Sequence, residues 1–313
     1  MIIIQLAGGL GNQMFQYALY LQLKNLGKTV KIDDVSGFLQ DEQRKPALAP
    51  FGASYERASR KELEEMLDCS PLLQHKIRRK LCGRRKKAYF EADKRYKPEI
   101  MGWDDIYLEG YWQTERYFQE ISEQVKAVFD TDRLLAYLEK AEQEWTNRMA
   151  DRTLQEFLKQ ICSTESVSVH IRRGDYLLPE NQALFGKICT EAYYHTAMEQ
   201  MNREHPGCIF YLFTNDKEWT REWIAGRKGS LEDRCRVVDL PGSEGGSMAA
   251  DYAEFVLMSR CRHNILANSS FSWWASYLNK NPHKTVFAPD RWLNGWDCRD
   301  FYRADMHKIP SAV

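Results

Sequence analysis

Val167-Ser168-Val169-His170-Ile171-Arg172-Arg173-Gly174-Asp175-Tyr176 is the stretch on which the reading of this chain turns. Val167, Val169 and Ile171 alternate with polar residues, which is strand periodicity. At its end the strand delivers two guanidiniums, a glycine and a carboxylate. Ligands of α/β proteins bind beyond that end of a strand. The planar fork of arginine matches phosphate oxygens better than the point charge of lysine does. The simplest functional reading is therefore a diphosphate site, and the bland alternative is a surface strand end carrying an Arg–Asp pair.

Downstream of Ser166 the pattern is regular. Apolar strands are expected at 167–171, 209–213, 236–240, 263–267 and 284–288, separated by helices at about 191–203, 217–225, 247–260 and 271–280. Such alternation implies a mostly parallel, doubly wound sheet. The N-terminus repeats the theme on a smaller scale, with a strand at 2–6, a Gly-rich turn at 7–13, a helix at 14–24 and a strand at 29–33. The glycines of that turn allow backbone N–H groups to approach a ligand. They fall as G-G-x-G and not as G-x-G-x-x-G, which disfavours a dinucleotide-dependent oxidoreductase. A strand at 106–113 ends in polar and aromatic groups, and 117–161 reads as mostly helix joining two halves. The expected domains are 1–150 and 151–313.

Composition sets limits. Among 313 residues, 44 basic and 44 acidic side chains cancel, so no global basic excess points to nucleic acid. No apolar run approaches the roughly 20 residues of a membrane span, and the start lacks the features of a signal peptide. Eight scattered cysteines without a C-x-x-C pair suggest free thiols and a cytoplasmic setting. The segment 76–87 holds eight basic residues among twelve and no acid. It reads either as a solvated helix and loop or as a patch for an anionic membrane surface or a pyrophosphate-linked acceptor.

Two further strand ends resemble the first in type. Phe210-Tyr211-Leu212-Phe213 closes in Thr214-Asn215-Asp216. Ile265-Leu266-Ala267 gives way to Asn268-Ser269-Ser270-Phe271-Ser272 and a helix. Free N–H groups and hydroxyls at a helix start suit an anion, although N-capping by Asn268 or Ser269 explains them too. Asp251 falls in the first turn of a helix, where an acid is favourable on any reading. Asp130-Thr131-Asp132 matches the D-x-D metal pattern of many nucleotide-sugar enzymes, but its place between two helical runs is explained by capping.

Gly8-Gly9-Leu10-Gly11-Asn12-Gln13-Met14-Phe15-Gln16-Tyr17, Tyr111-Trp112-Gln113, His170 to Tyr176, Phe213-Thr214-Asn215-Asp216 and Ala267-Asn268-Ser269-Ser270-Phe271-Ser272-Trp273-Trp274-Ala275 occur in that order. The set resembles glycosyltransferase family 11, the α-1,2-fucosyltransferases, in a compact bacterial-type form. The resemblance implies an α/β fold of the GT-B type, with two Rossmann-like domains. It also implies metal-independent, inverting transfer of L-fucose from GDP-β-L-fucose to O2 of a terminal galactose. The acceptor would be an oligosaccharide, free or lipid-linked, and the donor would lie mainly in the C-terminal half.

By the same resemblance Arg172 meets the β-phosphate with Arg173 in support. His170 and Asp251 contact the nucleotide, and Ser269 and Ser270 stand on the phosphate side. Asn215, Asn268 and Phe271 are counted with the donor-binding residues, and Asn12 lies near the reacting sugar. Asp175 and Glu109 are the candidates for a general base, with orientation of an arginine as the other role for Asp175. Tyr111, Trp112 and Trp292 are candidates to stack on a galactose ring, whereas Trp273 and Trp274 read as core. A fucosyltransferase of other linkage, such as α-1,6, and a non-catalytic sugar-nucleotide-binding module are the alternatives.

Overall fold

The computed structural model describes residues 1–41, 43–145, 154–226, 231–240 and 248–311. It divides into two compact units, Met1–Val128 and Phe129–Val313. In chain order the first contains β1 (Ile2–Ala7), α1 (Leu10–Asn25), β2 (Val30–Gly37), α2 (Arg60–Met66), α3 (Leu73–Cys82), β3 (Ala88–Phe90), β4 (Ile106–Glu109) and α4 (Ser122–Val128). Its four strands are parallel in the order β2-β1-β4-β3. β1 lies inside this sheet, and Ile2, Ile3 and Ile4 are all buried, as a strand covered on both faces requires.

The second unit opens with α5 (Thr131–Trp145), α6 (Leu154–Ser163) and β5 (Ser166–Ile171). It continues with α7 (Pro179–Phe185), α8 (Glu191–Glu204), β6 (Ile209–Thr214), α9 (Lys217–Ala225) and β7 (Cys235–Val237). α10 (Met248–Arg260), β8 (His263–Ile265), α11 (Ser270–Tyr277), β9 (Val286–Pro289) and β10 (Met306–Ile309) complete it. Its parallel sheet runs β10-β9-β8-β5-β6-β7. Numbered within the unit, that is the Rossmann order 3-2-1-4-5-6, with the reversal between β5 and β8. The core joins Val167, Val169 and Ile171 of β5 to Tyr193, Tyr194, Ala197 and Met201 of α8 and to Phe210 and Leu212 of β6. Two Rossmann-like parallel α/β units are what a GT-B glycosyltransferase is built from.

Among the differences from the sequence reading, three concern the division of the chain and the ends of its first elements. The division falls at 128/129 instead of 150/151, because the helix expected to link the halves packs into the second unit. Tyr137 of α5 lies edge-on to Tyr252 of α10 at 6.4 Å, Asp132 pairs with Arg260, and Phe129 meets Trp274 at 5.3 Å. Helix α1 begins at Leu10 and not at Met14, because Gly8, at φ +74°, makes the turn alone and leaves Gly11-Asn12-Gln13 in the first helical turn. The strand expected at 106–113 stops at Glu109, and Trp112 adopts φ +55°.

Candidate functional site

β5 carries the central residues to the point where the strand order of the second unit reverses. At such a reversal the connections on the two sides run to opposite faces of the sheet, which in open α/β sheets leaves a crevice for ligands. Two tyrosines of α8 fix its edges: Tyr194 donates to the His170 carbonyl at 2.9 Å, and Tyr193 to the Leu266 carbonyl at 2.6 Å. The His170 ring is 6% exposed, 5.7 Å from Phe271, and its Nδ1 has no partner. Burial, and secondarily the positive charge of Arg172, push its pKa down to about 3. The ring is thus a neutral hydrogen-bonding group at physiological pH.

The two arginines stand in different surroundings. Arg172 is half-buried with its guanidinium 5.6 Å from the Tyr176 ring centroid, and its charge acts on His170, Asp251 and Glu254. Arg173 lies on the Trp219 ring at 3.6 Å, and its Nε donates to Asp216 Oδ2 at 3.1 Å. Its backbone N–H donates to Asn215 Oδ1 at 2.9 Å. Asn215 therefore braces the loop, and a Cβ on Gly174 would sit only 2.3 Å from Asn215 Nδ2. Asp216 also caps α9 by accepting the Trp219 N–H. Asp175 belongs to the short turn Gly174–Leu177, and its side chain lies outside the described residues.

The other wall follows β8. Ser269 caps α11, its Oγ accepting the Phe271 N–H at 3.3 Å, and Ser270 is the first helical residue. Phe271 is half-buried and packs edge-on against Phe255 of α10 at 5.2 Å. Asn268 is a correction to the donor set at the level of its side chain. It is buried, its Nδ2 donates to the Trp292 carbonyl at 3.1 Å, and its Oδ1 accepts from Cys189 at 3.4 Å. Its carbonyl accepts from Tyr176 at 3.1 Å, which ties the wall after β8 to the loop after β5. Tyr176 in turn stacks on Phe185 at 4.4 Å. Trp273 and Trp274 are core, as expected, and so is Trp292, which packs on Phe301 and Tyr302 instead of facing solvent.

α10 contributes two carboxyls on the side of Arg172. Asp251 is exposed by surface area, yet surrounding atoms crowd its carboxyl enough to raise its pKa, with Arg172 opposing. Both observations fit a carboxyl in a recess open to water. Glu254, one turn further on, is half-buried. Desolvation and then Asp251 raise its pKa to about 8, with Lys217 and Arg172 pulling the other way. Sequence reasoning missed Glu254, whose one available signal was an acid three residues after Asp251 on an otherwise apolar helix. A strongly perturbed carboxyl beside an arginine at a sheet's switch point is a functional-site candidate on physical grounds.

The first unit has its own reversal, between β1 and β4, and the motif residues gather there. Asn12 Oδ1 accepts from Gln113 Nε2 at 2.6 Å, and a Cβ on Gly8 would stand 2.7 Å from Asn12 Nδ2 and 3.2 Å from the Tyr111 ring. Gln16 bridges the strand ends, accepting the Ala7 N–H at 3.0 Å and donating to the Gly110 carbonyl at 2.8 Å. Gln13 does the same for 45–47, donating to the Lys45 carbonyl and accepting the Ala47 N–H. Glu91, a buried carboxylate not singled out from sequence, accepts the N–H groups of Tyr111 and Trp112 at 3.0 and 3.2 Å and pairs with Lys94.

Tyr111 and Glu109 are partly exposed at this end. Trp112 is not. It is 1% exposed, edge-on to Tyr117 at 6.0 Å and 6.1 Å from Tyr89, so it packs the core and cannot stack on a sugar. Its left-handed backbone turns the ring inward while Tyr111 remains outside.

Neither acidic motif is arranged for a cation. Asp132 pairs with Arg260 and Lys280, and Asp130 pairs with Lys280 and accepts the Asp132 N–H. Among the described residues, the potential ligand atoms of Glu165, His205 and His263 also lie within 4.8 Å of one another. His263 Nδ1, however, accepts the Thr285 N–H at 3.0 Å, which leaves Nε2 as the protonated atom that donates to Glu165 at 2.7 Å. Neither nitrogen has a lone pair to offer a metal.

Comparison with known proteins identifies the family. Glycosyl transferase family 11 matches residues 85–295, more than half of the chain. An alpha-1,2-colitosyltransferase of Escherichia coli is 28% identical over 307 residues, covering 96% of this chain and 95% of its own. The O-antigen biosynthesis glycosyltransferase WbnK of Escherichia coli is 29% identical over 306 residues, 93% of this chain and 94% of its own. Galactoside alpha-(1,2)-fucosyltransferase 1 of Saimiri boliviensis boliviensis is 34% identical, but over 36% of this chain and 28% of its own. Among solved structures, a GDP complex of an Arabidopsis thaliana FUT1 mutant covers 92% of this chain and 70% of its own at 12% identity. Its TM-score is 0.46. The chain belongs to glycosyltransferase family 11 and is a glycosyltransferase.

Proposed function

We propose that the chain is an inverting galactoside α-1,2-fucosyltransferase that uses GDP-β-L-fucose. The observation that supports this best is the set at the switch point of the second unit. There neutral His170, Arg172 and the capped start of α11 lie at strand ends that the α8 tyrosines and Tyr176 hold together, and the charge of Arg172 acts on Asp251 and Glu254 of α10. We assign GDP to this unit. Ser269 and Ser270 would face phosphate, Phe271 and His170 the nucleotide, and Asp251 and Glu254 would hydrogen-bond the base or ribose. No metal is required by this reading.

In the reaction the bond between fucose C1 and the β-phosphate oxygen breaks with its electron pair leaving on GDP. The acceptor O2 attacks C1 from the opposite face and forms the new glycosidic bond. Negative charge grows on the β-phosphate, and a guanidinium already in place stabilises that change more than the ground state. Arg172 is the group for this role, because its charge acts on His170, Asp251 and Glu254, the groups assigned to the donor. The acceptor hydroxyl proton leaves to a base or to water, with Asp175 and Glu109 as the carboxylates proposed for it. Asn12, Glu109 and Tyr111 are proposed for the acceptor side, in the first unit.

One observation favours a second donor. A relative aligned over nearly the whole chain is named for colitose, the 3-deoxy counterpart of fucose. A donor panel tests both: GDP-fucose and GDP-colitose with lactose, N-acetyllactosamine and a lipid-linked galactoside, followed by linkage analysis. Transfer of fucose to O2 is expected. Preferential use of GDP-colitose would shift the donor, transfer to O6 would change the linkage, and GDP binding without turnover on any acceptor would favour a binding module.

A further inference from the structure

Helix α3 turns its apolar side to water. Leu73, Ile77 and Leu81 recur four residues apart and share one face. They are 73%, 51% and 78% exposed, and Leu72 just before them is 54% exposed. No residue of the helix is buried. The polar side is the one that holds it: Arg78 pairs with Asp68, and Arg79 donates to the Ser70 carbonyl at 2.7 Å and approaches Asp68 at 3.7 Å. Asp68, itself buried, also accepts the Arg85 N–H at 2.8 Å and so anchors both ends of the segment. A surface helix ordinarily does the reverse, burying its apolar stripe and wetting its charges. Lys76 and Lys80 line one edge of the exposed stripe, Arg84 and Lys86 follow it, and all four are exposed. No acid occurs between Asp68 and Glu91.

We propose that α3 is a membrane-interface helix for an anionic phospholipid bilayer. Leu73, Ile77 and Leu81 enter the boundary between headgroups and acyl chains, and Lys76, Lys80, Arg84 and Lys86 meet lipid phosphates. Ten residues span about 15 Å, so the helix lies in the plane of the interface. The charge pattern selects this occupant. A second copy docked by two-fold symmetry would bring the same basic run against itself, whereas an anionic bilayer offers apolar depth and opposite charge together. The net charge of the whole chain is zero, so the attraction is local to this patch.

The test is flotation of the full chain with vesicles of phosphatidylcholine alone and of phosphatidylcholine mixed with phosphatidylglycerol. The wild type should float with the mixed vesicles, less so as salt is raised, and not with phosphatidylcholine alone. Leu73→Ser with Ile77→Ser and Leu81→Ser should cut the partition coefficient at least tenfold. Lys76→Gln with Lys80→Gln should cut it about fivefold per lysine. Thermal melting of both variants shows that each is folded, independently of any sugar donor. Failure of the wild type to float, or flotation of the leucine variant like wild type, overturns the proposal. So does a change of vesicle-free sedimentation from oligomer to monomer in that variant, which would assign the stripe to a second copy.

Discussion

The Nε–H of Arg173 donates to Asp216 Oδ2 at 3.1 Å while its guanidinium lies 3.6 Å from the Trp219 ring centroid. That pairing separates two arginines that are adjacent in sequence. Arg173 holds the loop after β5 to the capped start of α9. Arg172 is the cation whose field reaches His170, Asp251 and Glu254. Arg172→Ala should lower the transfer rate by about 10²–10³, weaken GDP binding in calorimetry and leave the melting temperature near wild type. Arg173→Ala should lower stability by about 1 kcal/mol through the lost ion pair and cation–π contact, with a smaller loss of rate. Equal kinetic effects with no difference in melting would contradict this division of labour.

Glu254 gives a pH signature. Burial holds its carboxyl protonated up to about pH 8 in the folded protein, against about 4.5 for a glutamate carboxyl in water. The folded state therefore binds the extra proton across that window. Stability falls as pH rises through it and levels off above. Glu254→Gln keeps the group neutral at every pH. The variant's melting temperature relative to wild type should climb steadily between about pH 5 and pH 8.5, each kcal/mol being worth a few degrees. A difference that stays constant with pH would show that Glu254 is not the titrating group.

The parts of the fold visible in the sequence were those in which periodicity and chemistry coincide. β5 alternates Val167, Val169 and Ile171 and then changes to charge, so both the strand and the candidate site at its end are legible as a pattern. The same holds for Ala267 to Ser272, where hydroxyls open a helix. Trp112 and Trp292 were not legible, because an aromatic beside a strand end reads alike whether it faces a ligand or the core. For Trp112 the deciding fact is a left-handed backbone at a non-glycine residue. Glu91 and Tyr194 act through backbone groups of residues distant in the chain, and no local pattern marks such partners. The basic run at 76–87 is plain in the sequence. The orientation of Leu73, Ile77 and Leu81 depended on Asp68 holding the opposite face, which spacing alone does not reveal.

Gly8 is required by its conformation and by its neighbour. At φ +74° an L side chain is strained, and a Cβ would lie 2.7 Å from Asn12 Nδ2. Gly8→Ala should cost about 1–2 kcal/mol from the backbone alone and displace Asn12 from its bond with Gln113. Gln113→Ala, which removes that bond without touching the backbone, should cost about 1 kcal/mol or less. If Asn12 serves the reacting sugar, Gln113→Ala should also reduce the transfer rate more than it alters GDP affinity. Loss of GDP affinity with an unchanged rate would place Asn12 outside that role.

Tyr111 and Trp112 are adjacent, and both are held by Glu91 through their backbone N–H groups, but their side chains face opposite ways. Tyr111 keeps 36% of its surface exposed, with Lys94 5.8 Å from its ring centroid. Trp112 is enclosed by Tyr89 and Tyr117. Tyr111→Ala should therefore raise the acceptor KM several-fold, through loss of a stacking face, while melting changes little. Trp112→Ala should cost about 3–5 kcal/mol, and Trp112→Phe less, since part of the ring volume remains. Residual activity in Trp112→Phe should show an acceptor KM close to wild type. A Trp112→Phe variant with native melting and a raised acceptor KM would return Trp112 to the binding surface, and would mean that the positive φ at this residue turns a ligand-facing side chain instead of a core one.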